Sequence, residues 1–308
     1  MTPKQLEALQ HANQVMLEQR ALGIGTQGGA YPVPAALDPT VNLTSDGSRN
    51  PLRQFARVET ITSYVWNGVN SVGVTAAYSA EFTEASDNSP TLTQPACQPE
   101  KAQAFVPFSI EAGEDWGSFQ TEMAVLFRDA KDQLEATKFL SGAGHASSEP
   151  QGLLVGATAV VTSAATATFA VGDLYSVVNA LAERWQPNAS IVASRAALNK
   201  VRQFDTSGGA SLWTTLGNGT PERLVGYPTY VYSAMSTQLT TTGASILTVG
   251  DFKRFLIVDR VGMQVELVPL LMATANNRPY GARGLYAYWR NSSAVLTPNA
   301  AFKTLKLL

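Results

Sequence analysis

The chain has 308 residues, of which 45% are hydrophobic and 15% charged, with a net charge of −2 and a single cysteine. This is enough apolar material for one large domain or two ordinary ones, with no basic excess to argue for nucleic-acid binding and no internal disulfide framework. Charge so far below the roughly 25% of an average soluble domain fits one of two surfaces: a neutral one rich in Thr, Gly and Ala, or one covered by partners, because interface cores are depleted of charge.

In chain order, residues 2–22 read as a helix. Thr2 caps it, Pro3 suits its first turn, Gln5 completes a capping box and Gly23 stops it. Its apolar stripe of Leu6, Leu9, Met16 and Leu17 is thin and needs a partner. Residues 23–53 read as an extended arm, since Gly28-Gly-Ala-Tyr31-Pro-Val-Pro34 suits neither a helix nor a central strand. Arg57 to Val74 has the Val, Thr, Tyr and Trp content of strands, and Ala102 to Ile110 reads as the returning strand. Between them, Ala85 to Pro99 carries Pro90, Pro95 and Pro99 and few large apolar residues. The whole is a long two-stranded ribbon, which is marginal alone. Its aromatics Tyr64, Trp66, Tyr78 and Phe82 would be an exposed apolar liability in a free subunit, so the ribbon is expected to lie on a neighbour.

The pattern from about Gly117 to Leu140 predicts a long helix with Phe119, Met123, Leu126, Ala130 and Leu134 on one face. Arg128/Asp132 and Lys131/Glu135 are expected outside, four apart, where they can pair. Ser141-Gly-Ala-Gly144 breaks that helix, and Glu149-Pro-Gln-Gly-Leu-Leu154 follows. Beyond it, Asp173 is expected to cap a helix carrying Leu174, Val177, Leu181 and Trp185. Ser190 to Ala193 reads as a short buried strand, and Ser194 as the cap of a helix through Phe204. A Gly/Ser/Thr loop with Trp213 spans 205–222. Strands are predicted at Tyr227–Tyr232, Ile246–Val249, Arg254–Val258 and Met263–Val268, then at Gly284–Arg290, Ala294–Leu296 and Phe302–Leu307. The middle of the chain mixes helices and strands without the regular alternation of a doubly wound sheet. No internal repeat is present.

Charge is unevenly placed. Seven acids and two bases lie between Glu111 and Glu135, while from Leu267 onward there is no Asp or Glu but Arg278, Arg283, Arg290, Lys303 and Lys306. Opposite segments can pair within a subunit or between neighbours, where they help set register; otherwise they are two solvated faces.

The residues of small-molecule chemistry are scarce. Gly23-Ile-Gly-Thr-Gln-Gly28 is a literal G-x-G-x-x-G, but a helix precedes it and a proline-rich arm follows, the reverse of a dinucleotide site. His11, His145 and Cys97 are too far apart in sequence for a ligand-spaced metal cluster. A Ser-His-Asp triad could use only His145 or His11, and no G-x-S-x-G elbow presents a serine. No catalytic, cofactor-binding or metal residue is assigned, and no cofactor is expected. Cys97 reads as an ordinary free thiol of a reducing compartment rather than an intersubunit disulfide. The N-x-S/T matches at Asn42, Asn188, Asn218 and Asn291 read as chance, because the N-terminus lacks a signal-peptide apolar core. No apolar run approaches the roughly 20 residues that span a bilayer, so no membrane partner is expected.

Five segments in order resemble the major capsid proteins of tailed bacteriophages with the Hong-Kong-97-type fold. Gly28-Gly-Ala-Tyr-Pro-Val-Pro34 is similar to the family's entry to the body, and Gln103-Ala-Phe-Val-Pro-Phe-Ser-Ile110 to the strand leading into its spine helix. Phe139-Leu-Ser-Gly-Ala-Gly144 through Pro150-Gln-Gly-Leu-Leu154 is similar to the junction after that helix. Val249-Gly-Asp-Phe252 with Phe255-Leu-Ile-Val-Asp-Arg-Val-Gly262 resembles a strand pair, and Asn299-Ala-Ala-Phe-Lys303 the closing stretch. The match spans about residues 28–308.

The resemblance implies an α+β capsid fold. Its regions would be an N-terminal helix and arm (1–55), an extended β-hairpin loop (56–108) and a peripheral domain with the spine helix (109–154). An α/β axial domain (155–270) and the peripheral C-terminal strands (271–308) would complete it. It implies self-assembly into hexamers and pentamers of an icosahedral head around double-stranded DNA, built in the bacterial host cytoplasm. Scaffold, portal and decoration proteins would be partners, and DNA contact weak and non-specific. The residues expected at contacts between subunits are Tyr31, Tyr64, Trp66, Tyr78, Phe82, Arg278, Arg283 and Arg290. An encapsulin-like nanocompartment shell is the alternative on the same fold, and an α/β hydrolase-type enzyme a remote one. Some relatives crosslink a hairpin lysine to a peripheral asparagine. Here the hairpin's lysine is Lys101, near its base, and although Asn291 and Asn299 could be partners, no crosslink is expected. Many relatives also carry a long cleaved scaffolding segment; about 22 helical residues stand in its place, so a separate scaffold or a missing upstream piece is expected.

Overall fold

The computed structural model describes residues 43–44, 46–48, 50–115, 119–206, 213–214, 223–297 and 299–308. The expected helix over 2–22, the arm with Tyr31, and all of the 207–222 loop except the two residues of β9 (Trp213–Thr214) lie outside them.

Two sheets organise the chain. The first has the order β1 (Arg57–Thr60), β13 (Phe255–Val268), β14 (Ala282–Val295), β6 (Glu100–Ser109). β1 runs parallel to β13, and the other neighbours are antiparallel. Along β6, half-buried residues alternate with exposed ones, as a strand covered on one face requires. The covering element is helix α3 (Phe119–Ser141), preceded by the short α2 (Ile110–Asp115). Phe119, Met123 and Phe127 pack with Leu285 and Ala287 of β14.

The second sheet has the order β7 (Val160–Thr162), β15 (Phe302–Lys306), β12 (Ser245–Gly250), β8 (Ser190–Ala193), β11 (Tyr227–Val231), β10 (Arg223–Leu224), β9. Helices α5 (Val171–Asn179) and α6 (Arg195–Thr206) bury Leu174, Val177, Ala197, Leu198 and Val201 with the sheet's Ile191, Ile246, Val249 and Leu305. β15 lies between two neighbours, parallel to β7 and antiparallel to β12. A third apolar cluster joins the two sheets. It contains Phe139 and Leu140 of α3, Leu52 of α1 (Leu52–Phe55), Leu153 of α4 (Leu153–Gly156), and Val192, Phe255 and Phe302.

Several expectations are corrected. The buried stripe of α3 is Phe119, Met123, Phe127, Glu135, Ala136, Phe139 and Leu140, whereas Ala130 and Leu134 are exposed. The helix passes from one core to another along its length, so its buried face drifts away from a single straight stripe. Glu135, expected outside, is 4% exposed. α5 stops at Asn179, and Trp185 sits in a 3₁₀ turn, Glu183–Asn188. Asp173 acts from the third helical position rather than as the cap residue, taking the amide hydrogens of Ala170 and Ala164 at 2.8 and 3.0 Å. Ser194 does cap α6, its hydroxyl accepting from Ala197 N at 3.2 Å.

Two pairs of expected strands fuse. β13 runs through both predicted segments with register shifts between Asp259 and Val261 and between Val261 and Gln264, which are bulges that bend a strand without ending it. β14 continues through Asn291-Ser-Ser293, polar residues that read as a break. These side chains have partners: Ser293 Oγ donates to Gln151 O at 2.9 Å and Asn291 Nδ2 to Glu135 Oε1 at 2.6 Å. Sheet membership also crosses the expected region boundaries, since β13 lies within 155–270 yet belongs to the first sheet, and β15 lies beyond 271 yet belongs to the second.

The junction after α3 is a backbone-to-backbone contact. Gly142 N donates to Lys138 O and Gly152 N to Gly142 O, both at 2.8 Å. A Cβ on Gly142 would stand 2.2 Å from Pro150 O, and one on Gly152 would stand 2.5 Å from Leu140 O. Between them Gly144 holds φ +96°, a value that favours glycine. Lys138 Nζ reaches Glu149 Oε1 at 2.5 Å, and Ala143 N donates to Glu149 Oε2 at 3.1 Å. The lysine and this amide hold the Glu149 carboxyl below its ordinary pKa.

Candidate functional site

The ribbon is a stem with a free end. β1 and β6 belong to the first sheet, and only short pairings follow: β2 (Trp66–Asn67) with β5 (Ala96–Cys97), and β3 (Asn70–Ser71) with β4 (Leu92–Thr93). The long strand expected over Arg57–Val74 is broken at 61–65, where Ser63 Oγ turns back to Val65 O at 2.9 Å. The base of the stem is clamped to its own subunit. Cys97 is buried with Leu256, Val258, Ala294 and Leu296, and Trp66 and Ile61 pack onto them. Trp66 is therefore half-buried within its own chain, less exposed than Tyr64, Tyr78 and Phe82 of the same ribbon. Cys97 is a free thiol, and burial pushes its pKa up to about 11 against the opposing hydrogen bond from Ser292.

The far end is bare. Val72, Tyr78, Phe82 and Leu92 are 88%, 108%, 100% and 62% exposed. The tip has its own order: Asn88 Nδ2 donates across it to Thr75 O at 3.0 Å, and Ser89 Oγ to Asp87 Oδ1 at 2.6 Å. Phe82 holds φ +64°, a left-handed conformation that a bulky side chain rarely takes.

At the root of the arm, Arg53 of α1 fastens three elements. Its Nε and Nη2 donate to Glu135 of α3 at 2.7 and 3.0 Å, and its Nη1 and Nη2 to Asp259 of β13 at 2.7 and 3.0 Å. Asn291 of β14 completes the shell around Glu135, and Lys131 Nζ stands 3.6 Å from it. Burial disfavours the guanidinium charge, but the hydrogen bonds to Asp259 and Glu135 outweigh it and hold the proton more firmly than usual. Sequence reading missed this hub because Arg53 sits in the stretch taken for arm. Asn291 is spent here, buried and bonded within its own chain.

On the first sheet, the face away from α3 carries a row of cations and aromatics. The Tyr64 ring lies between Arg260 and Arg290, whose guanidinium carbons are 6.0 and 5.9 Å from its centroid. Lys101 Nζ is 5.4 Å from the Tyr286 centroid, and Tyr286 stacks on Tyr288 at 5.6 Å. The phenols are fixed: Tyr286 OH donates to Gln103 Oε1 at 2.9 Å and Tyr288 OH to Gln264 Oε1 at 2.5 Å. Phe105 lies over Gly284, where a Cβ would be 2.3 Å from the ring. Burial first, and the Glu266 carboxylate second, raise the Tyr288 phenol pKa. The signal for this face was present in the sequence as alternate residues, 286, 288 and 290, on one strand.

The remaining expected contacts scatter. Arg278 is exposed in the loop before β14, and Arg283 is half-buried at the start of that strand. Arg290 is also half-buried and donates to Pro99 O at 3.4 Å. Among the described residues, none of Arg278, Arg283, Arg290, Lys303 and Lys306 is in an ion pair, so the basic segment does not pair with the acids of 111–135 within the subunit. His145 pairs with Glu100 at the protein surface. No three His, Cys, Asp or Glu side chains gather as a metal site among the described residues, and no described helix is long and apolar enough to cross a membrane.

The profile of the phage capsid family matches residues 29–307. The chain belongs to the phage capsid family. Among solved structures it is similar to the capsid of a native GTA particle, with 23% identity and a TM-score of 0.72 over 91% of this chain and 99% of that one. It is also similar to a chain of Mycobacterium phage Ogopogo, at 18% identity and TM-score 0.63 over 90% and 97% of the two chains. A chain of Gordonia phage Cozz matches at 14% and 0.63 over 93% and 98%. At such identities the likeness is one of fold, and the fold is the mixed helix-and-sheet capsid fold expected above. No curated protein is similar enough in sequence to count as a relative. Two stretches that carried the resemblance are close approaches in this capsid fold. One is the Gly142/Gly152 junction. The other is Gly250 against the Ala301–Phe302 backbone, where a Cβ would be 2.2 Å from Ala301 O.

Proposed function

We propose that this chain is a major capsid protein, a tile that self-assembles into hexamers and pentamers of an icosahedral phage head around double-stranded DNA. The observation that carries the reading is the ribbon: a member of the phage capsid family holds out an ordered, aromatic tip that none of the described residues of its own subunit covers. An exposed apolar end of this kind marks an interaction surface. Many weak contacts acting together make a tight assembly. α3 with the first sheet corresponds to the peripheral domain and the second sheet to the axial domain. Scaffold and portal proteins would be partners during assembly in the host cytoplasm, and packaged DNA would touch the basic C-terminal segment only weakly. The nanocompartment alternative has no observation in its favour.

The test is electron microscopy of the purified chain beside a variant lacking residues 74–90. The deletion stops short of β4, β5 and Cys97, so the clamp at the base survives. Closed shells or capsomer rings from the wild type, and a folded but unassembled variant, are expected. Normal shells from the variant, or a wild type that stays monomeric even with its candidate scaffold, would overturn the reading.

A further inference from the structure

Between the two cores that α3 serves, a gap remains. Its early turns pack Phe119, Met123 and Phe127 on β14, and its last turns bury Phe139 and Leu140 with α1 and α4. In between, the helix turns Glu135 inward, and the edge strand β6 sets the small Ala102 opposite Trp289. The result is a cavity of about 190 Å³ under the middle of the helix, with Leu134 and Ser148, both exposed, at its rim. We propose that this cavity is a binding site for a small uncharged molecule, an apolar ring carrying one carbonyl or hydroxyl oxygen. The oxygen takes the indole hydrogen of Trp289, and the bound molecule braces the root of the ribbon against α3.

The first observation is an unpartnered donor at depth. Leu285 and Ala287 of β14 face α3, and the two-residue period of a strand puts Trp289 and Asn291 on the same side. Trp289 is 2% exposed, lines the cavity and gives its Nε1 hydrogen to no acceptor among the described residues. A buried donor without a partner is costly, and an acceptor carried in by a ligand removes that cost. The second is charge. The cavity is lined by Glu100, Glu135 and Glu149 against Lys101 and Lys138, so a ligand carboxylate is disfavoured. Each acid is also engaged already: Glu135 by Arg53 and Asn291, Glu149 by Lys138 and the Ala143 amide, and Glu100 by His145. A ligand cation would have to displace one of these partners. The group left unanswered at depth is a donor, and it calls for an uncharged acceptor. The third is size and lining. Ala102, Leu134, Phe139, Pro150 and the Trp289 ring supply apolar wall. A cavity of about 150 Å³ takes a benzene ring, so this one takes a ring with a small polar substituent. The walls come from α3, from β6 where the ribbon returns, and from the loop at 148–150, so a molecule that touches all three ties them together. The site belongs to one subunit and exists whether or not copies assemble.

The experiment uses benzamide as the probe and the full-length chain as unassembled subunits. The indole proton–nitrogen signal of Trp289, assigned by its loss in Trp289→Phe, should shift saturably with benzamide. Affinities come from calorimetric titration. Toluene, which has the ring without the acceptor, should bind about tenfold more weakly, the fold-change of one hydrogen bond. Trp289→Phe keeps a ring and removes the donor, so it should weaken benzamide by the same factor and leave toluene unchanged. Ala102→Leu fills the cavity and should abolish the binding of both, and each variant should keep a cooperative melt. Benzamide should also slow amide exchange at residues 100–103 and 147–149 and leave 245–250 as they were. No saturable shift would mean that the cavity holds water alone. Equal affinity in Trp289→Phe would mean that the donor is not read, tighter binding of benzoate would make this an anion site, and unchanged exchange would mean no bracing. Each of these overturns the proposal, and none bears on the shell reading, whose test is assembly.

Discussion

At single positions the fold leans on contacts that tolerate no substitute. Gly152 is hemmed in by backbone on two sides, with Leu140 O and Gly142 N both 2.5 Å from the place its Cβ would take. Neither backbone atom can rotate away, so Gly152→Ala must move the junction. It should cost about 1–3 kcal/mol, the usual range for overpacking, read as a lower denaturation midpoint. Arg53 is different in kind, because it compensates the buried charge of Glu135. Arg53→Met leaves that carboxylate with Asn291 and a lysine at 3.6 Å. It should destabilise by about 3 kcal/mol, as removing one partner of a buried pair does, and adding Glu135→Gln should recover much of the loss. A denaturant series on the two variants decides it; equal midpoints would show that Glu135 does not need the guanidinium. Cys97 has its pKa raised from 9.0 to about 11 by burial. Its contribution to stability is full below pH 9 and is lost as pH rises through 11, because the unfolded thiol ionises first. A thiol reagent at pH 8 should therefore label the folded chain slowly and the urea-unfolded chain fast.

Among the elements, the long helix shows what the sequence could and could not tell. Its existence was legible from more than 20 residues of period, and its burial was not, because one helix serves two cores whose directions differ. Phe127 is 3% exposed and Leu134 38%. Phe127→Ala should cost about 3–5 kcal/mol and Leu134→Ser under about 0.5 kcal/mol, in thermal melts of the same preparation; comparable losses would mean the helix is seated otherwise. The ribbon was legible as unsupported, but its clamp was not. Cys97 and Trp66 pack against Leu256 and Ala294, residues far along the chain, more than 150 positions away, that no local pattern ties to them. The Gly-rich junction and the Gly250 turn were legible only as resemblance; their physical reason, the closeness of two backbones, needs coordinates. The strand running through Asn291, Ser292 and Ser293 was read as two, because strand propensity ignores polar partners supplied from afar.

For the molecule as a whole, the sheets do not follow the order of the chain. β15 fills the gap between β7 and β12 in the second sheet and buries Phe302 and Leu305 completely. A chain truncated before Phe302 should lose both ladders and its closing core contacts. It should be recovered as aggregate rather than as a smaller folded tile, judged by solubility and gel filtration. A soluble, cooperative truncated chain would show that the sheet closes without it.

That arrangement also sets a timetable. β7 and β12 leave the ribosome well before the strand that joins them, since Phe302 follows Gly250 by more than fifty residues of chain. Until then the second sheet is two unjoined pieces, and the nascent polypeptide is not yet a tile. Translation order therefore leaves the joining of the second sheet until last, after every other strand of that sheet has been made.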